Sequence, residues 1–361
     1  MQSVGKPKNI VVFFTDDHAQ WALGSYGNSE IHSPSLDYIA ATGARMENAY
    51  CTTPVCSPGR AAMLTGRISS QHGMHDYLTS LDEHDEIDAL PWLENETLLP
   101  EIVKEAGYQT GFFGKWHLGR EANHHRGFDR CFSIGPGYPL IHTERRNFYR
   151  DGQPVSLKGH KAQIITDEAI DYLRSVDNEK PFFMYVAHYE THSDWNNHPE
   201  RLVNKSRSNT FADIPAGETY KFGEQNLEST NPTRYNRQET LAQYYASVAQ
   251  IDESVGRLMD ELEAMDQLDN TLIIYASDHG LNCSHHDVWG KGNGTFPLNM
   301  LEESVRIPML LRCPEVIEPG IVRREFADQT DLFQTCLEFA GIDSEQYAKS
   351  ENHYPGSNSR L

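Results

Sequence analysis

The run Cys56-Ser57-Pro58-Gly59-Arg60-Ala61-Ala62-Met63-Leu64-Thr65-Gly66-Arg67 decides how the rest of this chain is read. A free cysteine is usually a small buried hydrophobe. This one stands beside Pro58, Gly59 and Arg60, and a short apolar stretch follows. The residues after Arg60 are expected to begin a helix, which sets the Cys56 loop near a helix N-terminus and the positive end of its dipole. Outward from this run, residues 9–14 and 271–276 are apolar, β-branched and aromatic, and read as buried strands. Thr15-Asp16-Asp17-His18 follows the first and Ser277-Asp278-His279-Gly280 the second. Adjacent carboxylates at the end of a buried strand repel each other unless a cation lies between them, and such hard oxygen ligands suit calcium or magnesium. The same pair also suits a solvated turn, and the residues alone leave both readings open.

The twelve-residue run resembles the signature of the type I sulfatases, in the alkaline phosphatase superfamily. There Cys-x-Pro-x-Arg directs oxidation of the cysteine to formylglycine by a formylglycine-generating enzyme. The resemblance runs almost end to end. It implies an α/β fold, an alkaline-phosphatase-like α/β/α sandwich with a central, mostly parallel sheet. It also implies a mechanism for residue 56. An aldehyde hydrate carries two hydroxyls on one carbon: one attacks sulfur, and the other later expels sulfate by collapse to the aldehyde. By the same resemblance Asp16, Asp17, Asp278 and His279 hold a divalent ion, calcium rather than magnesium, which the oxidised Cys56 side chain also contacts. Nitrogen is an unusual ligand for calcium, so His279 has a second reading as the group that orients Asp278.

Two further segments resemble family motifs. Gly114-Lys115-Trp116-His117-Leu118-Gly119 implies that Lys115 binds a sulfate oxygen and that His117 hydrogen-bonds the formylglycine and assists its collapse. Residues 181–192 read as a strand running into a loop. Thr191 stands where the family usually has proline, and the count from the strand sets His192 on the position of the general acid, with His188 as its competitor. Lys291, flanked by Gly290 and Gly292, matches a further sulfate-binding lysine, although many members carry it nearer the segment resembling residues 301–308. Arg60 would hold the hydrate and neutralise charge. Asp16, Lys115, His192 and Asp278 each lie just after an expected strand, where ligand sites of open α/β sheets gather.

The bulk composition agrees with an enzyme. A chain of 361 residues suffices for a large core. Residues 1–345 read as one catalytic domain with a long polar insertion at about 198–236, and helices are expected over 34–42, 98–106, 162–173, 240–265 and 328–340. Residues 346–361 read as a tail where the smaller C-terminal subdomain of the family would begin, so that subdomain is expected to be missing or truncated. The net charge of -21 gives no basic surface for nucleic acid. It also disfavours long polyanions at a distance, which leans toward a small or chain-end sulfate ester as partner. No apolar run approaches a membrane span, and the mean hydropathy is -0.60. The six cysteines show neither a zinc nor a disulfide spacing. No apolar stretch of signal-peptide type precedes the first strand. The location as written is therefore cytoplasmic, or periplasmic or secreted if a leader has been removed. Tyr138, His142, Arg145 and Trp195 fall in expected rim loops. Two other readings stand beside the sulfatase one: a phosphonate or phosphate ester hydrolase of the same superfamily, and a non-catalytic binding protein if Cys56 is not matured.

Overall fold

The computed structural model describes residues 8–78, 91–135, 145–193, 195–214, 220–225, 236–344 and 347. Tyr138, His142 and, apart from Tyr347, the tail at 346–361 lie outside them. Ten strands form one sheet: β1 (Asn9–Thr15), β2 (Ala44–Ala49), β3 (Gln109–Gly114), β4 (Arg130–Ile134), β5 (Arg145–Arg150), β6 (Gln153–Lys158), β7 (Phe182–Ala187), β8 (Thr271–Ser277), β9 (Met309–Arg312) and β10 (Ile321–Ala327). The order across the sheet is β10-β2-β9-β8-β1-β7-β3-β4-β5-β6. The five neighbours β8, β1, β7, β3 and β4 are all parallel. Only β9 and β5 run against the rest.

Strand β1 shows why the sheet lies between two helical layers. Its side chains alternate between faces, and both faces are apolar. Ile10, Val12 and Phe14 join a cluster with Ala61, Met63, Leu64, Leu99, Leu332 and Phe333. Val11 and Phe13 join another with Leu36, Ile39, Ile165, Ile251 and Leu258. Helices Cys56–Thr65, Leu99–Glu105 and Gln329–Phe339 therefore cover one face, and Pro34–Thr42, Lys161–Leu173 and Arg237–Ala264 the other. Burial on both sides is the condition under which parallel strands are stable, and the result is the expected α/β/α sandwich.

Two expectations need correction. The helix begins at Cys56 itself, not after Arg60. Val55 is its extended N-cap, and Pro58 sits in the first turn, where a backbone N–H has no intrahelical acceptor and its loss is harmless. The polar region after His198 is also not wholly irregular. Glu200–Ser206 is helical, and Leu202 and Val203 pack with Leu241, Tyr245, Phe211 and Ile214. A helix of 7 residues is too short for a clear periodic signal; its partner surface on Arg237–Ala264 defines it. All six cysteines are free and buried. Among the described residues no helix is long and apolar enough to cross a membrane.

Candidate active site

The four parallel strands β1, β3, β7 and β8 deliver their following residues to one edge of the sheet. Asp16 and Asp17 leave β1, Lys115 leaves β3, His192 follows β7 by a short loop, and Asp278 and His279 leave β8. The Cys56 helix closes over this edge. It approaches so nearly that a β-carbon on Gly59 would lie 2.5 Å from the Asp278 carbonyl oxygen. Gly114, at φ 125, ends β3 against the backbone of Ala187, where a side chain would clash. Thr191 ties the loops together: its N–H donates to Asp16 O at 2.7 Å and its hydroxyl to Asp17 O at 2.9 Å.

Cys56 Sγ lies 2.9 Å from Lys291 Nζ and 3.3 Å from His279 Nε2. Burial alone would push the thiol up, but Lys115, Lys291 and His279 hold it well below its ordinary value. Lys291 also pairs with Asp17 at 2.8 Å, and Lys115 pairs with Asp16. Arg60 donates to Asp278 Oδ2 at 2.8 Å and to Lys115 O at 2.9 Å. Arg60 is fully buried, so its charge acts with little screening. Burial and the Cys56 thiol would raise the Asp16 carboxyl, yet Lys115, His192 and Arg60 keep it below the usual carboxylate range. Burial and Asp16 push Asp278 up instead. The two carboxyls are therefore driven apart by their surroundings.

The donor set fits a hard divalent cation. Ligand atoms of Asp16, Cys56, Asp278 and His279 all lie within 4.8 Å of one another, and so do those of Asp16, Asp17, Cys56 and His192. Asp16 Oδ1 is buried with no hydrogen-bond partner. An unsatisfied buried carboxylate oxygen is costly, and an oxygen-seeking ion satisfies it. His279 Nε2 faces Asp17 Oδ1 at 3.2 Å and Asp278 Oδ1 at 3.4 Å, while its Nδ1 donates to Gly280 O at 2.8 Å. The Nδ1 contact leaves Nε2 as the atom turned to the carboxylates.

A cavity of about 200 Å³ opens beside Cys56, lined by Asp17, His117, His192, Trp195, Lys291 and Asn293 among others. His192 Nδ1 donates to Ser193 O at 2.8 Å, so Nε2 is the nitrogen free to serve a leaving group. His188 is fully buried elsewhere, 3.2 Å from Thr166 Oγ1, and burial pushes it down to about 3. Of the residues named for the rim, Trp195 lines the cavity, whereas Arg145 is an exposed residue of β5 donating to Ser156 O. Sequence reasoning missed Glu121, Thr191 and Gln329. Gln329 donates to Asp278 O at 2.8 Å. An acid four residues after His117 was a visible signal for Glu121, and the departure from proline was one for Thr191, whose N–H donates to Asp16 O; Gln329 carries none.

The sequence model of the family described as Sulfatase matches residues 8–342. The chain is 28% identical to an N-acetylglucosamine-6-O-sulfatase of Bacteroides thetaiotaomicron, over 94% of this chain and 68% of that protein. It is 30% identical to the N-acetylgalactosamine-6-sulfatase of Homo sapiens, over 93% of this chain and 63% of that protein. Among solved structures, BT4656 in complex with its substrate D-glucosamine-2-N,6-O-disulfate superposes with a TM-score of 0.76 at 27% identity, covering 94% of this chain and 77% of that one. This chain thus spans about two thirds of the length of the curated relatives it matches.

Proposed function

The chain belongs to the sulfatase family, and from that premise we propose that it hydrolyses a sulfate monoester on a small or chain-end sugar, using Cys56 matured to formylglycine and a calcium ion. The observation that carries this reading is the convergence on residue 56. The Cys56 side chain sits at the first turn of a ten-residue helix, contacted by Lys291 and His279, at the mouth of the cavity. A helix N-terminus and the Lys291 ammonium suit an anion. The sulfated amino sugars named in the similar proteins point to a sulfated sugar as substrate.

The roles follow from placement. Lys115 and Lys291 stabilise negative charge on the sulfate oxygens as it develops. Arg60 holds Asp278 and compensates buried charge. As the hydrate, residue 56 would attack sulfur with one hydroxyl, whose proton passes to the carboxylate of Asp278, and the sulfur–oxygen bond to the sugar would break. His192 gives a proton to that leaving oxygen. His117 takes a proton from the second hydroxyl, the carbonyl re-forms and sulfate leaves. Asp16, Asp17, Asp278 and His279 would hold the ion, which supplies Lewis-acid polarisation of the sulfate when bound. The test pairs mass spectrometry with turnover. In a host that matures such cysteines, the Cys56 peptide should lose about 18 mass units, and the modified protein should release sulfate from 6-sulfated amino sugars. Full activity with an intact thiol would refute the mechanism. Release of phosphonate or phosphate esters in preference to sulfate would move the protein to the neighbouring hydrolase class.

A further inference from the structure

We propose that Glu121 is a positioning residue that sets the ring of His117 toward residue 56. The inference rests on the role proposed above for His117. The Trp116 N–H donates to Glu121 Oε2 at 3.1 Å, and the His117 N–H to Oε1 at 2.8 Å. One carboxylate thus clamps two consecutive amides, as an anion does in a backbone nest. Support is needed there, because His117 has φ 57, a left-handed conformation that a residue with a β-carbon rarely holds unaided.

The clamp has a consequence for proton transfer. His117 Nε2 lies 2.9 Å from Leu78 O. A carbonyl only accepts, so Nε2 carries the proton and Nδ1 keeps its lone pair. Nδ1 is buried and is the ring nitrogen left to face Cys56, whose side chain interacts with the ring. The loop therefore presents Nδ1, with its lone pair, to residue 56. Glu121 is not among the residues lining the cavity. It acts through the backbone of the loop.

Glu121 also titrates in a useful range. Burial pushes it up to about 7, against the N–H groups of His117 and Trp116 and the charges of Lys115 and Arg60. Its folded value exceeds its ordinary one of 4.5. Protonation thus stabilises the fold as pH falls from 7 toward 4.5, while it weakens the clamp over the same interval. Activity and stability should move in opposite directions, which a purely structural carboxylate would not produce.

The test is Glu121→Gln, whose amide offers one acceptor and turns its own N–H₂ against the second backbone N–H. We expect kcat on a sugar sulfate to fall about tenfold with KM within about twofold, and the acid limb near pH 7 to leave the kcat profile. An unchanged kcat and an unchanged acid limb overturn the proposal. A second readout needs no turnover. Nitrogen-15 NMR of the His117 ring, assigned against His117→Gln, should show Nε2–H alone in wild type at about pH 8 and mixed tautomers at about pH 6 or in Glu121→Gln. A single tautomer under all these conditions overturns the proposal, even if Glu121→Gln fails to fold, because wild type alone gives the pH comparison. If the tautomer shifts as expected but wild type releases no sulfate, the clamp stands and the sulfatase reading falls.

Discussion

The centre and the edges of the sheet are built on opposite terms. Strands β1, β7 and β8 are buried at every residue, and β3 at all but its first. They end in the residues that surround Cys56. Strands β6 and β10 form the two edges and are exposed along most of their length. β10 carries Arg323, Arg324 and Glu325 and an exposed Phe326, and β6 carries Pro154 and Lys158. Charges and proline on an edge strand discourage pairing with other chains. The contrast shows where precision is held. Charged groups placed beyond strands locked on both faces stay fixed while charge develops on a substrate, which is the condition for electrostatic catalysis.

That contrast can be broken by experiment. The largest effect is expected at the end of the centre: Cys56→Ala should lower turnover by about ten-thousand-fold or more, with the urea midpoint shifted by no more than about 1 kcal/mol of stability. A variant that keeps measurable turnover would detach the chemistry from the sheet edge. Next, chelation or Asp278→Asn should cost about a hundredfold to a thousandfold, and added calcium should restore the chelated enzyme but not the variant. Chelated enzyme that runs at the normal rate would leave the carboxylates with another role.

His192→Ala should slow alkyl or sugar sulfates about a hundredfold while hardly touching an activated aryl sulfate, because only a poor leaving group needs the proton. His188→Ala should slow both alike and slightly. A steeper leaving-group dependence in His188→Ala than in His192→Ala would exchange the two roles. The smallest effects compare packing. Phe14→Ala in β1 should cost about 3–5 kcal/mol, and Phe326→Ala in β10 less than about 0.5 kcal/mol, both read from denaturant midpoints. Similar values would mean that the edge is covered in solution.

The sheet was legible in proportion to burial. The strands around residues 10–14, 181–187 and 272–276 show as uninterrupted apolar runs because neither face meets water. Strands such as β2, Ala-Arg-Met-Glu-Asn-Ala, and β5, Arg-Arg-Asn-Phe-Tyr-Arg, mix charge with apolar residues and have no such run. Their pairing, not their composition, makes them strands. In the site, resemblance to the family's motifs named Asp16, Cys56, Arg60, Lys115, His192 and Asp278, and the places of four of them just after expected strands agreed with it. Gln329 was invisible because it acts on backbone carbonyls, which any sequence possesses.

The sequence by itself determined the chemistry available to this protein. Which carboxylates, cations and cysteine it has, and which strands they follow, are properties of local order. Only the tertiary structure decided how those groups meet. Asp278 and Cys56 are 222 positions apart in the numbering, and they share one ligand cluster because β8 and β1 pair in parallel and the Cys56 helix packs across their ends. It also decided their electrostatics. Asp16 and Asp278 are the same residue type after similar strands, yet one is held ionised by Lys115 and Arg60 and the other pushed toward its acid form. The physical reason is that a charge inside a protein is set by distances to other charges and by the exclusion of water, and neither exists until the chain has folded.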